Sequence, residues 1–210
     1  MTRVAFAGSR DLAQQMAGYL AQTPGIQVAG FFDDFRPSGD PTPHGPVLGP
    51  LSEATIARQR GLFDSLAIGV GYRHLRKRGE ILSSLLGSVP LFTFVHPSGW
   101  VDPSASIGEG AFLLPGCRID AKAVIGPGCV LNVGCVVCHD SIIEENCFLG
   151  PSVTVAGFSR VGRDSFLGVG TVVIDNVRIA PGIQTGGGAV VVGDLTEAGL
   201  YLGVPARRQE

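Results

Sequence analysis

The chain has 210 residues, with 16 Lys and Arg against 18 Asp and Glu and a net charge of −2. That balance gives no general electrostatic case for nucleic acid or an anionic membrane surface as a partner. No apolar run reaches the length of a membrane span, and the opening MTRVAFAGS is too short an apolar stretch for a signal peptide, so a cytoplasmic protein is expected.

Thr2 to Ala7 reads as a buried strand that runs into the turn Gly8-Ser9-Arg10. Leu12, Met16, Tyr19 and Leu20 then share one face of a helix that ends by Pro24-Gly25. Gln27 to Phe32 forms a second strand and delivers Asp33 and Asp34 at its carboxyl end, the place where dinucleotide-type folds hold a ribose-binding carboxylate. Of the glycine fingerprint of such folds only Gly8 is present. Residues 36–50 form a Pro- and Gly-rich loop with one short strand at Val47-Leu48. A helix from Ser52 to Gln59, a strand from Ser65 to Gly69, a helix from Arg73 to Leu86 and a last strand from Leu91 to Val95 complete a small parallel sheet with flanking helices. Arg73, Arg76, Lys77 and Arg78 read as a solvated helix face. The predicted domains are 1–96 and 97–210.

From Val101 to Thr196 the sequence divides into sixteen hexads without a slip: VDPSAS, IGEGAF, LLPGCR, IDAKAV and onward to VVGDLT. The first column is Val, Ile or Leu except at Thr185, and the fifth is small or aliphatic and never charged. A period of six matches neither a helix nor a simple alternating strand; it matches short strands and tight turns stacked as a β-solenoid. The glycines at 108, 110, 126, 128, 134, 150, 162, 168 and 170 fall in turn columns, where a positive φ is expected. Cys117, Cys129, Cys135 and Cys147 all occupy the fifth column, so they read as core packing rather than as metal ligands or disulfides. His139 is the one histidine among the hexads and stands in a turn column, outside the core, with Cys138 beside it.

The repeat resembles that of the hexapeptide acyltransferases, whose coils are left-handed triangular prisms of three hexads and whose members are trimers. An α/β half, then HPS, an unbroken prism and the ending GVPAR together resemble the bacterial sugar acyltransferases that act on nucleotide-linked amino sugars or on sialic acid. The resemblance covers essentially the whole chain, and its most specific part is LNVGCVVCHD. It implies a Rossmann-like N-terminal domain that binds a nucleotide sugar and a left-handed β-helix that transfers an acetyl group from acetyl-CoA. It also implies a homotrimer with active sites between adjacent subunits, and no metal.

By that resemblance Asn132, Gly134, His139 and Asp140 match N-x-G-x-x-x-x-H-[DE], in which His139 is the general base and Asp140 orients it. Imidazole suits the task because it titrates near neutral pH while an amine or hydroxyl loses its proton. Gly157, eighteen residues past His139, is implied to offer its amide to the thioester oxygen, and Gly187 to line the same cofactor groove. Gly8, Ser9, Asp33, Asp34 and Asn132 are implied on the acceptor side. The family turn G-A-S-G-H-G is altered here: Arg10 replaces its second glycine and Asp11 its histidine.

N-acetylation is the leading expectation and O-acetylation of a sugar such as sialic acid the alternative. A non-catalytic trimeric scaffold that binds sugar nucleotides is the competing class. A zinc hydratase on the same prism needs three converging histidines, whereas His44, His74 and His96 lie outside the repeat.

Overall fold

The structure is a computed structural model that describes residues 1–209, in two compact units, Met1–Phe92 and a second beginning at Thr93. In the first unit the elements are β1 (Thr2–Ala7), α1 (Asp11–Ala21), β2 (Ile26–Phe32), β3 (Pro41–Thr42), β4 (Gly45–Gly49), α2 (Ala54–Gln59), β5 (Ser65–Ile68) and α3 (Leu75–Leu85). Sheet order is β3-β4-β2-β1-β5, parallel throughout except for the β3-β4 hairpin. Val4, Ala5, Phe6 and Ala7 of β1 are all buried, as a central parallel strand covered on both faces requires. Against the sheet α1 buries Ala13, Met16, Ala17 and Leu20. The helix sits so close that a Cβ on Gly69 would collide with Ala13.

Two expectations for this unit need correction. The strand expected over Leu91 to Val95 is split: Leu91 makes a lone parallel bridge to Leu66, whereas Phe94–Val95 pair with Phe112–Leu113 in the second unit. The basic cluster is not one solvated face. Arg76 and Lys77 are exposed and pair with Glu80, but Arg78 is 1% exposed and donates to the Ile68 carbonyl at 3.4 Å. Helical spacing is the reason, since the inward stripe of α3 runs Leu75, Arg78, Ile81, Leu82, Leu85.

The second unit is the solenoid. Each hexad contributes a two-residue strand and a turn, and each strand pairs in parallel with the one eighteen residues on, as in Val136↔Thr154, Ile142↔Arg160 and Val130↔Phe148. Three sheets result, one per face, so each coil has three corners. First-column side chains stack at the centre with the fifth column. Thr185, the polar exception in the first column, is buried; its Oγ1 accepts the Gly168 amide at 3.0 Å and shares a 2.8 Å hydrogen bond with Thr171 Oγ1.

The fifth-column cysteines are buried and free, but they also donate. Cys117, Cys129, Cys135 and Cys147 place Sγ 2.9–3.2 Å from the carbonyls of Asn132, Glu144, Gly150 and Gly162, each fifteen residues on. Ser141 and Ser159 make the same bond with Oγ, to Ala156 and Ile174. Cys and Ser therefore alternate in this column as small donors.

The turn glycines serve two different purposes. The fourth column is left-handed in every hexad from Gly110 to Gly188, including Lys122, Asp140, Asn146, Ser152, Phe158, Asp164 and Asn176. Among the glycines expected at positive φ, those at 110, 128, 134 and 170 belong to this column. Those at 108, 126, 150, 162 and 168 belong to the second column, where φ is not positive; a Cβ there would strike the next coil, as at Gly126, 2.6 Å from the Glu145 nitrogen.

The frame also begins earlier and ends earlier than expected. Val95-His96-Pro97-Ser98-Gly99-Trp100 forms a further hexad at the start, with the Trp100 amide on the Cys117 carbonyl. At the end Leu195 bridges Ile179 and Tyr201 pairs with Thr185, both sixteen residues apart, so the last corner is two residues short.

Candidate active site

The ladder leaves the third-column amide without a backbone partner, which is why prolines occupy positions 103, 115, 127, 151 and 181. Where the second column carries a short polar side chain, it takes up that amide: Asp120 Oδ1 accepts from Ala121 at 2.7 Å and Asn132 Oδ1 from Val133 at 2.8 Å. At Gly157 the preceding residue is Ala156, whose side chain carries no acceptor. Gly157 is buried, and its N–H donates to no group among the described residues. Such a donor is uncommon in a folded protein.

One coil before it, at the same corner, stands His139. The register Val136↔Thr154 and Val137↔Val155 stacks the two turns directly. A Cβ built on Gly157 would lie 2.8 Å from His139 Cε1 and 2.9 Å from Nε2, so the imidazole rests on the glycine backbone. Asp140 follows at φ +56°, a conformation short polar side chains tolerate, and sets Oδ2 3.1 Å from His139 Nδ1. The histidine side chain is 48% exposed and the aspartate 32%. With Nδ1–H given to Asp140, Nε2 carries the lone pair. Cys138, half-buried beside it, has its thiol pushed up by burial and by the Asp120 carboxylate, which disfavours a thiolate.

Asn132 and Gly187 lie elsewhere. Both sit at the corner that enters the six-stranded face, whereas His139 and Gly157 sit at the corner that leaves it. Within one chain the structure therefore gathers His139, Asp140 and Gly157 and leaves Asn132 and Gly187 across a face.

In the first unit, Gly8 (φ +92°) turns the chain out of β1 and its amide donates to the Phe32 carbonyl. Ser9 and Asp33 are buried together: the Ser9 hydroxyl and amide both donate to Asp33 Oδ2, at 2.5 and 3.1 Å, and the Phe35 amide donates to Oδ1 at 2.9 Å. Burial alone would raise the Asp33 carboxyl, but these bonds outweigh it and hold it below the usual range. Asp34 is exposed and accepts the Leu51 amide. Arg36 places Nη1 3.3 Å from Ser9 Oγ and Nε 2.7 Å from Asp40.

Sequence reasoning passed over Arg36, which has no signal of its own in a Pro-rich loop. It also passed over Phe158, the only aromatic residue in the fourth column. Among the described residues no cluster of three or more His, Cys, Asp or Glu side chains is placed to share a metal ion, and no helix is long and apolar enough to cross a membrane.

Residues 122–157 match the bacterial transferase hexapeptide (six repeats) family. No curated protein sequence is significantly similar to the chain. Among solved structures, a GDP-perosamine N-acetyltransferase from Caulobacter crescentus, a histidine-to-alanine mutant in complex with CoA and GDP-perosamine, is 32% identical with a TM-score of 0.88. That alignment covers 100% of this chain and 98% of the other. The acetyltransferase domain of PglB from Neisseria gonorrhoeae, in complex with acetyl coenzyme A, is 25% identical with a TM-score of 0.83 over 99% of this chain and 98% of that one. WeeI from Acinetobacter baumannii shares the fold at 21% identity, with a TM-score of 0.84 and full coverage of both chains.

Proposed function

We propose, for a chain that belongs to the hexapeptide-repeat sugar N-acetyltransferases of the left-handed β-helix superfamily, that the corner of His139, Asp140 and Gly157 carries its chemistry. The enzyme is an acetyl-CoA-dependent acetyltransferase that acts on the amino group of a nucleotide-activated amino-deoxy sugar. The observation behind the assignment of roles is the stacking of a free Nε2 directly on a buried, unpaired glycine amide.

In this reading Asp140 holds the imidazole by Nδ1. His139 Nε2 removes the proton from the sugar amine as the nitrogen forms its bond to the thioester carbonyl carbon. The Gly157 N–H donates to the carbonyl oxygen as negative charge develops there. When the carbon–sulfur bond breaks, the proton held on Nε2 is available to the departing thiolate. Gly8, Ser9, Asp33 and Asp34 form the acceptor end of the first unit, where Asp33 shapes the turn from within and Asp34 is the carboxylate that reaches solvent.

We assign the active form as a homotrimer with sites between adjacent subunits. Asn132 and Gly187 on one edge of the six-stranded face, and His139 and Gly157 on the other, are parts of one groove only if a neighbouring copy closes it. Five free cysteines without a disulfide suit a reducing cytoplasm.

The test is turnover. With acetyl-CoA and GDP-perosamine or another nucleotide amino sugar, the protein should release free thiol and yield an N-acetylated product. His139→Ala should lower kcat by about 10² to 10⁴ with assembly intact. Acetylation of a hydroxyl, or wild-type turnover by the substituted enzyme, would overturn the assignment.

A further inference from the structure

We infer that Phe158 is a positioning residue for the base: its ring forms the third wall of a holder that fixes the imidazole of His139. The inference rests on the reading of His139 as general base.

The fourth column demands a left-handed backbone, and the residues that meet the demand elsewhere are Gly, Asn, Asp, Ser and Lys. Phe158 adopts φ +57° there, a conformation that bulky side chains avoid. Burial does not offset that cost, because the side chain is 58% exposed. Its amide donates to the His139 carbonyl at 3.2 Å, but Asp140, Ser152 and Asn176 make the equivalent bond, so the amide does not account for the choice of residue. What is particular to Phe158 is the ring. Its centroid lies 5.1 Å from that of the imidazole with the planes at 85°, the edge-to-face arrangement that aromatic pairs prefer.

The imidazole is thereby held on three sides. Asp140 fixes Nδ1, the side-chain-free backbone of Gly157 lies beneath Cε1 and Nε2, and Phe158 packs on the ring. A half-exposed histidine tied by one hydrogen bond can still swing; two walls and a bond leave it one orientation. A strained residue kept at a reactive corner, without burial to justify it, is the pattern of conformational cost retained for activity.

The experiment compares Phe158→Gly with Phe158→Tyr in the full-length enzyme. Phe158→Gly removes the ring and relieves the left-handed conformation. Its melting temperature should equal or exceed that of the wild type, while kcat falls about 10- to 100-fold with KM for acetyl-CoA within about twofold. Phe158→Tyr keeps the ring and should restore kcat. Phe158→Asn, which suits the same φ, gives a second ring-free variant should the glycine protein not fold. A residue with only a structural role gives the opposite pair, a lower melting temperature and an unchanged kcat, and that result overturns the inference. So does a loss confined to KM. If instead His139→Ala is fully active, the failure belongs to the base assignment.

Discussion

Substituting Gly157 by alanine adds a single methyl carbon, and that carbon would sit 2.8 Å from Cε1 of His139. The ring must then tilt away from Asp140 or from its reactive orientation. We expect kcat/KM to fall by about 10², since displacement of a catalytic group by ~1 Å costs that much, with circular dichroism and assembly unchanged. This glycine was visible in the sequence as the residue eighteen after the histidine, but its second task was not. It makes room for the imidazole, a requirement set by the preceding coil and not by local turn chemistry. The second-column glycines mislead for the same reason: they look like turn residues, yet the neighbouring coil's backbone selects them. Phe158 carries no signal in the sequence, because a hydrophobic residue in a turn column has no meaning until its ring is seen against another.

Among the secondary-structure elements, the junction of β1 and β2 with α1 concentrates the polar burial of the first unit. Asp33 is held as a carboxylate by the Ser9 hydroxyl and by two amides against the pull of burial. A carboxyl depressed in the folded state contributes stability above its unfolded pKa and loses it as pH falls through the folded value. Acidification through and below the usual carboxylate range should therefore lower the melting temperature of the wild type. Asp33→Asn should flatten that acid limb while costing about 1–3 kcal/mol at neutral pH, as read by denaturant titration. The acidic pair at the tip of β2 was legible from the strand pattern. Which acid faces inward was not, because that depends on the path of the Gly8-Ser9 turn. Likewise the apolar run to Val95 announced an extended segment, but its pairing was settled by edges distant in sequence.

For the molecule as a whole, the proposed trimer predicts a sedimentation mass near three times the 21.8 kDa of the chain, unchanged by His139→Ala. Most of the prism was legible beforehand because its contacts repeat at fixed sequence separation, so one correct coil predicts the next. The frame failed only at its ends, where Val95 enters and the corner before Leu195 is shortened. The same stacking sets a dimension. His139 and Gly157 are equivalent positions on successive coils, so their backbones stand one interstrand repeat apart, about 4.8 Å. The separation of the two backbones is thus a constant of the peptide hydrogen bond, and only the torsions of the imidazole, held by Asp140 and Phe158, are left to set where Nε2 lies. Such a spacing cannot drift by small increments under mutation. It can change only in whole rungs, so substrate preference is free to diverge at the periphery while the backbone frame of the reacting corner stays fixed.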